Sequence, residues 1–77
     1  MMNLTRWSYA GRGRIRAYFE EIPHSTVFLS RIRNKYFVRY VDWHRSDPVV
    51  SRDDLVVIER IINDEQQLTD RGTQTDR

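Results

Sequence analysis

A mainly β fold in a single small domain is what this chain predicts, and three observations carry that reading. Residue character alternates from Arg12 to Glu21; two later runs, Thr26 to Arg33 and Tyr36 to Trp43, are rich in β-branched and aromatic residues; and 77 residues close only one hydrophobic core. The expected architecture is a strongly bent antiparallel sheet or a small barrel, with room for one short helix near the C-terminus. Large apolar residues concentrate between Ile15 and Ile62. That sets the expected domain at residues 12–62, between an N-terminal arm at 1–11 and a polar tail at 63–77.

Each element has its own reason. Met1 to Gly11 holds Trp7 and Tyr9 but no periodicity, so it reads as an arm that packs or folds on contact. In the first strand Arg12, Arg14, Arg16, Tyr18 and Glu20 share one parity, and Gly13, Ile15, Ala17, Phe19 and Glu21 the other. A period of two marks a strand with one buried face, and Ile15, Ala17 and Phe19 form its core side. Pro23 ends this strand, and Ile22-Pro23-His24-Ser25 reads as a loop. Asn34-Lys35 sits where a tight turn joins the two later strands, Asn being tolerant of positive φ. In the second of these, Tyr36, Val38 and Tyr40 share one face and Phe37, Arg39 and Val41 the other; the pattern leaves open which is inside. Asp42 to Pro48 is a polar loop.

Residues 51–62 carry competing signals. Ser51 followed three residues later by Asp54 resembles a helix N-cap, and Leu55, Ile58, Ile61 and Ile62 have helical spacing. Val56-Val57-Ile58 is a β-branched apolar run, which favours a buried strand. Weighing the run above the cap gives a strand over Leu55 to Glu59, with a short helical turn after it. From Asn63 onward Leu68 is the one large apolar residue, and so polar a segment is expected to be disordered.

Charge divides the chain. Met1 to Arg45 holds nine Arg or Lys against three acids, a net +6, whereas Ser46 to Arg77 holds four Arg against eight acids, a net −4. A basic surface on a small protein suits nucleic acid or an acidic partner. Twelve of the thirteen cations are Arg. Guanidinium offers a planar fork to phosphate or carboxylate and stacks on aromatic rings, although the codon bias of a GC-rich genome gives the same excess. With no cysteine, disulfides and thiolate metal sites are excluded, which fits an intracellular protein. No apolar run approaches the ~20 residues of a membrane span, and the N-terminus lacks a signal-peptide stretch, so a soluble cytoplasmic protein is expected.

The hairpin Arg31-Ile32-Arg33-Asn34-Lys35, the strand Tyr36 to Asp42 and the closing segment Val49 to Ile58 resemble the second half of an SH3-like small barrel of the Tudor kind. Such families carry an aromatic-led strand ending in an acid, a turn, a short valine strand, and then Asp and Leu opening the last strand. The resemblance covers residues 30–58, and the loop Asp42 to Pro48 departs from it by lacking the usual glycine. It implies a barrel that binds peptides, methylated side chains, nucleic acid or the transcription and translation machinery, and fold alone does not choose among these. By size and charge the chain also resembles small phage-encoded regulators of host RNA polymerase.

The leading candidate interface is the row Arg12, Arg14 and Arg16. Same-face side chains on a strand lie about 7 Å apart, comparable with phosphate spacing along one nucleic-acid strand. The competing reading is a solvated face that keeps the protein soluble. Arg6, Trp7, Tyr9, Tyr18, Arg31, Arg33, Lys35 and Arg39 complete the expected binding set, because bases stack on aromatic rings beside Arg. Phe19, Phe28, Tyr36 and Tyr40 are assigned to the core. Enzyme chemistry has no foothold: Glu20 and Glu21 are adjacent and point to opposite strand faces, His24 and His44 without cysteine are a poor metal pair, and no nucleophile elbow or phosphate loop is present. No catalytic residue, metal or cofactor is expected. The expected function is a non-enzymatic transcription regulator, monomeric on its own, that engages nucleic acid, RNA polymerase or both through its basic face. The alternative is a protein-interaction module or inhibitor that docks on an acidic protein surface without touching nucleic acid. Neither reading involves a membrane.

Overall fold

The structure, a computed structural model, describes residues 2–75, with side chains for residues 2–66. Four strands, β1 (Leu4–Gly11), β2 (Arg14–Phe19), β3 (Ile22–Ile32) and β4 (Lys35–Asp42), are followed by one helix, α1 (Arg52–Thr75). The strands form a single antiparallel sheet in chain order. β1 and β4 are its edges, so the fold is mainly β as expected but the sheet does not close into a barrel. The helix replaces closure. Ile58 and Ile62, fully buried and one turn apart, pack with Ile15, Ala17, Phe19, Ile22, Val27 and Leu29. Each such large aliphatic or aromatic side chain contributes about 1.5–3 kcal/mol relative to exposure. The β2 parity read from the sequence is the observed one.

The segment after Pro48 corrects the strand expectation for Leu55 to Glu59. Ser51 caps α1 in a reciprocal box: its Oγ accepts from Asp54 N at 3.2 Å, and Asp54 Oδ2 accepts from Ser51 N at 3.1 Å. Asp53 and Asp54 add favourable negative charge to the first turn. Val56, half exposed at 50%, and Val57 face away from the sheet, while Ile58 and Ile62 bury on a 3.6-residue period. Burial on one stripe thus overrides β-branched propensity. The short valine strand implied by the barrel resemblance is also missing: Val49 is exposed and Val50 packs on the core from a loop.

Residues 1–11 correct the arm expectation, because β1 pairs with β2 over most of that length. Register shifts between Leu4 and Arg6 and between Tyr9 and Gly11 each insert an extra residue, which hides the period of two. The β2–β3 reversal falls at Glu20-Glu21 rather than at Pro23. Pro23 lies where pairing with β2 jumps from Ala17–Val27 to Phe19–Ile22, so its missing N–H takes no ladder bond away. The β3–β4 turn is Arg33-Asn34, one residue earlier than expected, and Arg33 rather than Asn34 takes the positive φ, +61°.

α1 also finishes the β4 edge. Asn63 Oδ1 accepts from Tyr36 N at 2.7 Å, its Nδ2 donates to Tyr36 O at 3.0 Å and to Glu59 O at 2.9 Å, and Glu59 Oε2 accepts from Val38 N at 2.8 Å. Backbone groups that an edge strand leaves unpaired are thereby satisfied by side chains. Asn63 and Gln66 therefore belong to the packed helix, which corrects the start of the expected disordered tail. The helical backbone continues to Thr75, and the remainder of that expectation, Asp76 and Arg77, lies outside the described residues. Among the described residues no helix is long and apolar enough to cross a membrane.

Candidate nucleic-acid interface

α1 covers one face of the sheet and leaves the other open. On the open face the pairing aligns Ser8, Arg16, Phe28 and Tyr40 in one row across all four strands, flanked by Arg6 beside Tyr18 and by Arg14 beside Ser30 and Phe37. Residues directly opposite on neighbouring strands share a face, so these side chains form one surface. Its aromatics are presented rather than buried: Tyr40 is 53% exposed and Phe37 41%.

A bulge in β4 creates this arrangement. Val38 pairs with Leu29 and Tyr40 with the adjacent Phe28, which leaves Arg39 as an extra residue. The insertion shifts the strand's parity, sending Tyr40 to the open side with Phe37 while Val41 returns to the core side with Tyr36 and Val38. Tyr40 stacks on Phe28 with centroids 4.7 Å apart and planes 16° from parallel. The core assignment of Phe28 and Tyr40 is thus corrected, whereas Phe19 and Tyr36 are buried as expected. Phe28 was legible, since it alternates with buried Val27 and Leu29. Tyr40 was hidden by the bulge.

Arginine surrounds the stack. The Arg6 guanidinium carbon lies 4.1 Å above the centre of the Tyr18 ring, a cation–π contact that holds the cation flat against the sheet. Arg16 donates to Tyr9 O at 3.4 Å. Arg14, Arg39, Phe28, Tyr40, Ser30 and Ala10 help to line a recess of about 280 Å³. Ser30 Oγ is buried there with no partner among the described residues, so a hydrogen-bonding group is left unused beside stacked rings and cations.

The eleven residues expected at the interface divide between the open face and other parts of the fold. Arg6, Arg14, Arg16, Tyr18 and Arg39 meet on the open face. Trp7 and Tyr9 leave it: Trp7 packs against the core on the helix side, and Tyr9, edge-on to Trp7 at 5.0 Å, donates through its hydroxyl to Gln66 Oε1 at 3.3 Å. Arg12 lies in the β1–β2 turn, not on β2, and lines a separate cleft with Arg31 and Lys35. Arg33 occupies the β3–β4 turn. Strand parity and hairpin turns separate the two groups, so the row Arg12, Arg14, Arg16 is really a pair, Arg14 and Arg16, joined by Arg6 and Arg39.

A family model described as uncharacterised protein YuzH matches residues 3–74. The chain belongs to the YuzH family. No curated protein and no solved structure matches it. The YuzH match runs through all four strands and nearly to the end of α1, so it takes in both the sheet and its covering helix. The two histidines, His24 on β3 and His44 in the loop after β4, are close together. Their rings lie 5.2 Å apart, and neighbouring Asp47 Oδ2 accepts from His24 N at 3.0 Å and from Ser25 Oγ at 2.6 Å, pinning the loop after β4 to β3.

Proposed function

We propose that this chain is a non-enzymatic regulator of transcription, acting in the cytoplasm, that holds single-stranded nucleic acid on the open face of its sheet. The observation that carries the proposal is the stack of exposed Tyr40 on half-buried Phe28, set among Arg6, Arg14, Arg16 and Arg39. Unstacked bases lie on aromatic platforms while neighbouring guanidiniums take the phosphates, and the sequence tolerance of stacking suits a binder of single strands. Ser30 Oγ supplies a hydrogen bond to a base edge in the recess. The rival reading, docking on an acidic protein, uses the arginines but gives no role to flat rings presented to solvent.

The test is a fluorescence-anisotropy titration of the intact chain with labelled single-stranded DNA and RNA across a salt series. Binding should weaken with salt, log K falling by about 0.7 per phosphate neutralised for each tenfold increase. Tyr40→Ala should weaken binding by about 1–3 kcal/mol, and Arg14→Glu with Arg16→Glu should abolish it with the circular dichroism spectrum unchanged. No oligonucleotide binding at low salt, or equal binding by these variants, would sink the proposal. Regulation is read separately, by affinity capture from lysate with and without nuclease. RNA polymerase retained after nuclease supports the regulatory part; its absence removes that part and leaves strand binding standing.

A further inference from the structure

We propose that the cleft on the helix side, between the two hairpin turns and α1, is a second ligand site that takes a small phosphorylated molecule of mononucleotide size. It is independent of the open face. Its volume is about 500 Å³, within the range of about 300–1,000 Å³ usual for small-molecule sites. Arg12 comes from the β1–β2 turn, Arg31 from the end of β3 and Lys35 from the start of β4, so two hairpins bring three cations to one cleft. Among the described residues the lining contains no acid, and the side-chain cationic groups of Arg12, Arg31 and Lys35 have no hydrogen-bond or ion-pair partner. Cations gathered without counter-charge repel one another and favour an anion that bridges them, and guanidinium pairs with phosphate through two parallel hydrogen bonds.

The floor of the cleft adds a second, independent sign. Gln66 is 8% exposed, and its Nε2 is buried with no partner among the described residues. Native proteins rarely leave such a donor unused unless an ion, water or ligand completes it. The Tyr9 hydroxyl bonds the other end of the same amide at 3.3 Å, and the Tyr9 side chain is 56% exposed, so turning that ring aside opens the amide to the cleft. The frame around this ring is held by hydrogen bonds. Asn63 grips the Tyr36 backbone from both sides, and Arg31 N donates to Gly13 O at 2.7 Å, tying the two hairpins together beside the cations. The phosphate therefore sits among Arg12, Arg31 and Lys35, and a polar acceptor on the rest of the ligand reaches Gln66.

Isothermal titration of the full chain with AMP, inorganic pyrophosphate and adenosine at low salt tests the assignment. AMP and pyrophosphate should bind and adenosine should not. Arg12→Gln with Arg31→Gln should weaken AMP binding at least about tenfold, the loss expected for charge-assisted bonds to phosphate. Gln66→Met should weaken AMP binding but not pyrophosphate binding, with the circular dichroism spectrum unchanged, because it removes the free Nε2 donor while an apolar side chain of similar volume takes its place. Tyr40→Ala should leave AMP binding intact. The assignment is overturned by absence of AMP and pyrophosphate binding at millimolar concentration, by equal AMP binding in the Arg12/Arg31 variant, or by loss of AMP binding in Tyr40→Ala.

Discussion

The helix-facing side and the open side of the sheet are built from alternate residues of the same four strands, yet they obey different rules. On the helix side Ile15, Ala17, Phe19, Val27 and Leu29 are buried against Ile58 and Ile62, and shape and volume decide what fits. On the open side Arg14, Arg16, Phe28 and Tyr40 touch mainly one another and solvent, so chemistry rather than packing decides which residues stand there. One side stabilises the fold and the other is free to serve binding.

That division is open to attack from the strongest effect downward. Ile62→Ala should destabilise by about 2–5 kcal/mol, because it leaves a cavity at the centre of the helix–sheet contact. Tyr40→Ala, which loses one exposed stacking contact, should cost at most about 1.5 kcal/mol. Urea unfolding of both variants measures the gap, and equal losses would erase the distinction between the faces. Asn63→Ala should fall between them, at about 1–3 kcal/mol, since it strips partners from Tyr36 N and O on the β4 edge. Protection of the Tyr36 amide in hydrogen exchange should drop in the same variant.

The smallest effect lies at the start of β1. Asn3 N and Asn3 Nδ2 donate to the two carboxylate oxygens of Glu21, each at 2.8 Å, and these bonds, the backbone one first, hold the Glu21 carboxyl below its usual pKa. A carboxyl whose pKa is depressed on folding adds stability above its unfolded pKa and loses it as pH falls through the folded value. The wild type should therefore lose stability on acidification below about pH 4.5 slightly more than Glu21→Gln does, a difference read from paired melting curves. Identical acid profiles would mean that the Asn3–Glu21 clasp adds nothing.

How much was legible follows the regularity of each strand. The irregularity between Ala17 and Phe19 adds its extra residues to β3, so β2 keeps its alternation, and its inward set Ile15, Ala17 and Phe19 was readable from that alone. β1 and β4 carry inserted residues, and there the period breaks: β1 looked like an arm, and Tyr40 looked like core. α1 was obscured for another reason. Val56 and Val57 suggest a strand when read locally, and only the spacing of Ile58 and Ile62 with the Ser51–Asp54 cap indicates a helix. Asn63 and Gln66 resemble tail residues by composition, because their task is to bond backbone and line a cleft rather than to fill a core. Of the candidate interface, Arg6, Arg14, Arg16, Tyr18 and Arg39 were legible; Phe28 was readable from its alternation with Val27 and Leu29 although it was assigned to the core, and Tyr40 was hidden by the bulge.

The division of charge along the sequence becomes, in the folded chain, a division between elements: the strands and their connecting turns hold eight of the thirteen cations, and α1 holds six of the eleven acids. A body polarised along the normal to its sheet feels a torque near any polyanion before contact is made. On the proposed reading as a nucleic-acid binder, the sheet layer would be turned toward the polyanion and the helix away from it while the two are still separated by solvent. The gain lies in the rate of productive encounter more than in the strength of the final complex, and added salt should slow arrival.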